Sequence, residues 1–188
     1  MLHIYLVPPP SVGVMASAFQ DLLAARGVPH LSRQPVQWLH ATVARFNRCL
    51  ADLTGADVAA LCEALRLSIT EVPAFRWQIG PALASLHSIT LDAAPDQPWR
   101  DLREVVRATA VEVLGEDVVA PLTGPGRPHV TVSFCTGPVA IEPHLGALAH
   151  VRAGRAQWQV STAHLVAVHQ HADAGTYSWE SIASFPLG

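Results

Sequence analysis

Apolar and polar positions along this chain alternate between two periods, near two and near 3.6 residues. Leu2 to Val7 is a short apolar run holding a β-branched residue and an aromatic, and Pro8-Pro9-Pro10 stops it. It reads as a first strand. Val12, Met15, Phe19, Leu22 and Leu23 then recur at helical spacing, with Ser11 placed to cap the segment and Gly27 to close it. Val36 to Phe46 reads as a strand and Asp57 to Leu67 as a second helix. Phe75 to Ile79 and Ser88 to Asp92 are strand-like, with a turn expected at Gly80-Pro81. The strongest helical pattern covers Gln97 to Leu114, with Asp96 as N-cap, Pro98 in the first turn and Gly115 at C′. Trp99, Leu102, Val106, Ala110 and Val113 form its apolar stripe. Gly124 to Pro128 reads as a loop, His129 to Phe134 as a strand and Pro143 to His150 as a short helix. Two final strands are expected at Gln157 to His169 and Tyr177 to Phe185. This mixed, hairpin-rich order favours an α+β fold over a doubly wound sheet.

One stretch is echoed. Leu39-His40-Ala41-Thr42-Val43 is answered by Pro128-His129-Val130-Thr131-Val132, and the two histidines lie 89 residues apart (129 minus 40), close to half the chain. Each follows a helix and a loop, which suggests two related lobes with one motif apiece.

Composition narrows the function. The 188 residues are 50% hydrophobic and 14% charged, enough for a packed core in one domain or in two small lobes sharing it. A net charge of -3 argues against a broad basic surface for nucleic acid, although a small site gripping one phosphate needs only local donors. Cys49, Cys62 and Cys135 lack metal-type spacing and read as reduced, packed thiols. Met1 to Pro10 has no Lys or Arg ahead of its short apolar run, so it is a poor signal peptide and too short to span a membrane. A cytoplasmic monomer is expected.

The motifs carry the chemistry. On a strand His40 and Thr42 share one face while Ala41 and Val43 take the other, and the second motif repeats this with His129 and Thr131 against Val130 and Val132. The apolar pair anchors the strand, and the polar pair faces a cleft. Imidazole titrates near neutrality, at about 6.5 unperturbed. One neutral histidine can take a proton from an attacking hydroxyl and one protonated histidine can give a proton to the departing oxygen. Such help is worth roughly 10²–10⁴-fold. The threonine hydroxyls can hold the non-bridging phosphate oxygens. A single His-x-Thr is common; two of them, half a chain apart in apolar strands, are informative.

These paired tetrads resemble those of the two-histidine (2H) phosphoesterase superfamily, in particular its bacterial 2′-5′ RNA ligase / 2′,3′-cyclic phosphodiesterase branch. Length, motif spacing and element order agree along nearly the whole chain. The resemblance implies a bilobal α+β fold over residues 1–188, with two pseudo-symmetric, intertwined lobes of antiparallel sheet and outer helices around a central cleft. It implies catalysis by His40 and His129, phosphate binding by Thr42 and Thr131, and no metal or other cofactor. The implied activity is opening of 2′,3′-cyclic phosphates or related diesters. The alternatives are a 2′-5′ RNA ligase acting on RNA ends, and a binding module that holds a nucleotide without turning it over. One departure bears on substrate. Ligase-like members often carry an arginine shortly after the second tetrad, where this chain has Ser133 and Phe134. An arginine follows the first tetrad instead, Arg45, although strict alternation puts it on the face opposite His40. Arg45, Ser133, Phe134 and Arg127 are the substrate-binding candidates. With the low basicity, this favours a small cyclic nucleotide or an RNA end over an extended nucleic acid.

Other features read more plainly. His169 and His171 share a strand face and Asp173 is near, but His164 does not join them, so structural zinc is disfavoured. Trp38, Trp77, Trp158 and Trp179 read as core or cleft-wall aromatics, with Tyr177 or Trp179 available to stack on a base. Gly124-Pro125-Gly126 lacks the lysine and spacing of a P-loop. His87, His144 and His150 read as exposed or helix-end residues.

Overall fold

A computed structural model describes residues 1–119, 126–137, 141–148 and 154–188. The strands are β1 (Leu2–Leu6), β2 (Leu31–Arg33), β3 (Ala41–Arg45), β4 (Phe75–Ala84), β5 (Ser88–Ala94), β6 (His129–Cys135), β7 (Ala156–Val160), β8 (Thr162–His171) and β9 (Thr176–Pro186). The helices are α1 (Pro10–Ala25), α2 (Gly55–Ile69), α3 (Gln97–Leu114) and α4 (Ile141–Leu148). The strands form two antiparallel sheets, one of order β3-β1-β8-β9 and the other β2-β6-β5-β4-β7. The first tetrad belongs to the four-stranded sheet and the second to the five-stranded one. The result is the bilobal α+β architecture with helices packed outside the sheets.

Local chemistry accounts for the helices. Thr54 caps α2 by accepting from the Asp57 amide while the Asp57 carboxylate accepts from the Thr54 amide, and Leu61, Leu65 and Ile69 are buried. In α3 the stripe of Trp99, Leu102, Val106 and Ala110 is buried as its period demands, and Gly115 ends it at a φ of 92°. Asp96 does not cap α3 through its side chain; its carboxylate accepts from Arg100 at 3.3 Å. The cap of α1 lies at Pro9, because Pro10 already has the fixed φ suited to a first helical position, so Ser11 falls inside.

Three strand expectations need correction. Val36 to Trp38 is a 3-10 turn, closed by bonds from the Trp38 amide to Pro35 O and from Leu39 to Val36 O, and β3 begins only at Ala41. His40 therefore stands just ahead of the strand. Gly80-Pro81 does not end β4; pairing with β5 slips between Ile79 and Ala82 and resumes. Gln157 to His169 is two strands parted at exposed Ser161, where the chain leaves the five-stranded sheet for the four-stranded one.

Core residues from both sheets and helices α1 to α3 form one continuous cluster, with Trp77 and Trp158 inside it. Cys49 is exposed rather than packed. Cys62 and Cys135 are half-buried, and burial pushes both thiols up. His144 is buried, not surface, and neither ring nitrogen has a hydrogen-bond partner among the described residues. His87 is exposed. Gly124, Pro125 and His150 lie outside the described residues. No helix among the described residues is long and apolar enough to cross a membrane.

Candidate active site

The two sheets meet across a cavity of about 370 Å³ lined by His40, Thr42, His129 and Thr131, together with Tyr5, His3, Arg45, Phe134 and Tyr177. Strands β3 and β6 touch across it. The tetrads, far apart in sequence, are thus brought to one place.

Both motif histidines are held in the same way. His40 Nδ1 donates to the carbonyl of Trp38 at 2.8 Å, and His129 Nδ1 donates to the carbonyl of Arg127 at 2.8 Å. A carbonyl oxygen only accepts, so each Nδ1 carries a proton and each neutral ring keeps Nε2 as its free acceptor. The environments differ. His40 is half-buried and lies flat on Tyr5, with ring centroids 3.8 Å apart and planes 10° apart. Burial pushes its pKa down to about 4, against the bond to Trp38 O, which favours the charged form; the nearby His129 lowers it further. His129 is exposed. Beneath the first motif, Trp99 Nε1 donates to Thr42 O at 3.0 Å and ties β3 to α3.

The strict alternation that would turn Arg45 away is broken by a bulge. Tyr5 pairs with Thr42 but Ile4 pairs with Ala44, so Val43 is an extra residue in β3. The slip reverses the alternation, and Arg45 comes to the face of Thr42. The second motif does the same: Thr90 pairs with Thr131 but Ile89 with Ser133, leaving Val132 extra and bringing Phe134 to the face of Thr131. Burial agrees, since Val43 and Ala44 are buried before exposed Arg45, and Val132 and Ser133 before half-buried Phe134. Ser133 is therefore removed from the cleft as a substrate-binding candidate: it is 1% exposed and turned toward the core. Arg127 is also displaced. Its guanidinium donates to Asp92 at 2.7 Å, and it lines a separate hollow of about 340 Å³ on the far side of His129.

Several cleft residues had no tetrad to announce them. His3 and Tyr5 alternate on β1, and burial drives His3 down to about 3 and Tyr5 upward. The Tyr5 hydroxyl donates to His3 Nδ1 at 2.8 Å when His3 holds its proton on Nε2. Two polar rings on one face of an otherwise apolar strand were the available signal. Gln34 gave none, yet it is 1% exposed and bridges the lobes. Its Nε2 donates to Tyr177 O at 2.8 Å and to Trp38 O at 3.3 Å, and its Oε1 accepts from the Tyr177 amide at 3.1 Å. Trp38 O is the same carbonyl that orients His40. Gln20 Nε2 completes the link by donating to Gln34 O and to Val132 O, the carbonyl of the second bulge.

The aromatics and the remaining histidines separate cleanly. Tyr177 lies against Phe134, with centroids 5.0 Å apart, and both line the cavity. Trp179 packs edge-on to Tyr5 and Trp38 behind that wall. His164, His169 and His171 take separate partners, Ser184, Glu180 and Ser178. No group of three or more His, Cys, Asp or Glu among the described residues is gathered as a metal would require.

No protein-family model matches the sequence, and no curated protein does. Solved structures match over essentially the whole chain. The protein TT0787 of Thermus thermophilus superposes with a TM-score of 0.71 at 21% identity, covering 99% of this chain and 97% of that one. Escherichia coli LigT complexed with 3′-AMP superposes with a TM-score of 0.69 at 15% identity, with the same coverage. A further structure described as a phosphoesterase gives 0.67 at 16%, covering 99% and 97%. The chain has the fold of these LigT and phosphoesterase structures. Within that fold the two tetrads face one another across the cleft.

Proposed function

We propose that this protein is a two-histidine phosphodiesterase that opens 2′,3′-cyclic phosphates, or closely related cyclic or 2′-5′ nucleotide diesters, without a metal. The observation that carries this reading is the shared tethering of His40 and His129 through Nδ1, which leaves two Nε2 atoms for one phosphate in the cleft. The likeness to structures described as LigT and as a phosphoesterase supports it, as does LigT's binding of 3′-AMP.

Burial divides the labour. His40, held far below neutrality, is uncharged at pH 7 and serves as the base. It takes a proton from water as the water oxygen bonds to phosphorus. The bond from phosphorus to one ribose oxygen breaks, and protonated His129 gives its proton to that oxygen. Thr42 and Thr131 donate to the non-bridging oxygens as charge builds there. Tyr177 and Phe134 form the wall on which a base stacks. The described cleft lining contains no carboxylate, a donor set suited to an anion rather than to a hard cation.

The test is turnover of nucleoside 2′,3′-cyclic phosphates by wild type, His40→Ala and His129→Ala. Each substitution is expected to remove activity by about 10²–10⁴-fold. Undiminished turnover in both variants overturns the assignment.

A further inference from the structure

The bulge at Val43 places a cation in the cleft that the acid–base chemistry does not use. The other arginines beside the motifs are engaged: Arg127 pairs with Asp92, and Arg48 lies 4.0 Å from Asp117. No carboxylate among the described residues pairs with Arg45, and none lines the cavity it faces, in a protein whose net charge is -3. Across the β1–β3 ladder Arg45 stands opposite His3, and Thr42 opposite Tyr5. Those two pairs are two residues apart along β1, about 6–7 Å. Arg45 therefore sits one nucleotide-scale step from the phosphate held by Thr42 and the histidines. His3 is a neutral ring with Nδ1 engaged by Tyr5, which leaves Nε2–H as its remaining donor. The aromatic wall lies elsewhere: β3 and β9 are the outer strands of the sheet, so Arg45 and Tyr177 are separated by three strand spacings, about 14 Å.

We infer that Arg45 and His3 form a second anion seat, which takes a second phosphate carried by the same substrate next to the reacting diester. The substrate class is thus a nucleotide with two phosphate groups. It is either a mononucleotide bearing a 5′-phosphate beside its cyclic phosphate, or an RNA end whose preceding phosphodiester fills the seat. This inference rests on the reading of His40 and His129 given above. The rival role for Arg45 is contact with the reacting phosphate itself.

Calorimetric binding of three non-cleavable probes separates these cases: adenosine 3′-monophosphate, adenosine 3′,5′-bisphosphate and the 3′-phosphorylated dinucleotide ApAp. Wild type is expected to bind at least one of the two-phosphate probes about tenfold more tightly than the monophosphate, and Arg45→Gln to abolish that preference. Which probe gains identifies the source, a 5′-phosphate or an internal diester. Arg45→Lys is expected to retain part of the gain, because a point charge survives without the planar fork. Equal binding of all three probes by wild type overturns the inference. So does an equal loss for the monophosphate and the bisphosphate in Arg45→Gln, which puts Arg45 on the reacting phosphate. Turnover of adenosine 2′,3′-cyclic phosphate with and without a 5′-phosphate runs alongside. Turnover without any preference in binding removes the seat and leaves the acid–base reading standing. A binding preference without turnover removes that reading and leaves the seat.

Discussion

Arg45 and Phe134 occupy equivalent places in the two lobes. Each lies five residues after a motif histidine, and each is turned into the cleft by one extra valine in its strand. The lobes thus present the same backbone device with opposite chemistry, a guanidinium on one side and a benzene ring on the other. The aromatic side is predicted to read the base. Phe134→Ala is expected to weaken binding of a nucleoside cyclic phosphate by about 1–3 kcal/mol. A ribose cyclic phosphate without a base should be little affected, and comparing KM for the two substrates checks this.

The depressed pKa of His40 sets the acid limb of activity. A base must be unprotonated, so kcat/KM is expected to hold as pH falls below neutrality and to drop as pH passes through about 4. A pH–rate profile measures it. An acid limb near the ordinary histidine value of about 6.5 counts against His40 as the base.

Stability follows the same groups. The folded values of His40 and His3, about 4 and about 3, lie below the unfolded value of 6.5. The unfolded chain therefore binds more protons in acid. Stability from keeping these rings neutral is fully present above about pH 6.5 and declines as pH falls toward 3–4. Urea midpoints at pH 7 and pH 5 are expected to differ accordingly, and His3→Phe should flatten the difference.

Gln34 is predicted to position His40 without touching substrate. Gln34→Leu strips the half-buried Tyr177 amide and carbonyl of the partners Gln34 supplies, at a cost of up to about 1–3 kcal/mol for each group left unsatisfied. It also removes the second donor from Trp38 O. The expected signature is a lower kcat together with a raised KM for base-bearing substrates. Gln34→Glu is expected not to rescue either, because a carboxylate keeps the acceptor for the Tyr177 amide but has no proton for the Trp38 and Tyr177 carbonyls and buries a charge against them.

Loss of either threonine hydroxyl tests the phosphate clamp. Thr131→Val is nearly isosteric and is expected to lower kcat by about a hundredfold. EDTA should leave the rate of wild type unchanged.

How much of this was legible in the sequence depends on what each feature leaves in residue type. The helix Gln97–Leu114 was readable because its stripe and glycine stop are local. The tetrads were readable because alternation alone puts histidine and threonine on one face. The bulges were not: an extra valine in an apolar strand looks like any other valine, and strict alternation put Arg45 on the wrong side. The short turn at Val36–Trp38 was hidden in the same way within an apolar run. Gln20, Gln34 and His144 are polar residues whose burial arises only from tertiary contact, which residue type does not announce. The sheet change at Ser161 left only one polar residue between two alternating stretches.

That crossing at Ser161 has a consequence for how the protein comes into being. Both tetrads are complete by Val132, but the sheet behind the first is closed only by β8 and β9, which are made after both. A growing chain that has already produced both histidines still has β1, the strand of Tyr5, bare along the edge that β8 later pairs. The site is therefore completed only after its motifs have been made, and its chemistry waits on strands that carry neither of them.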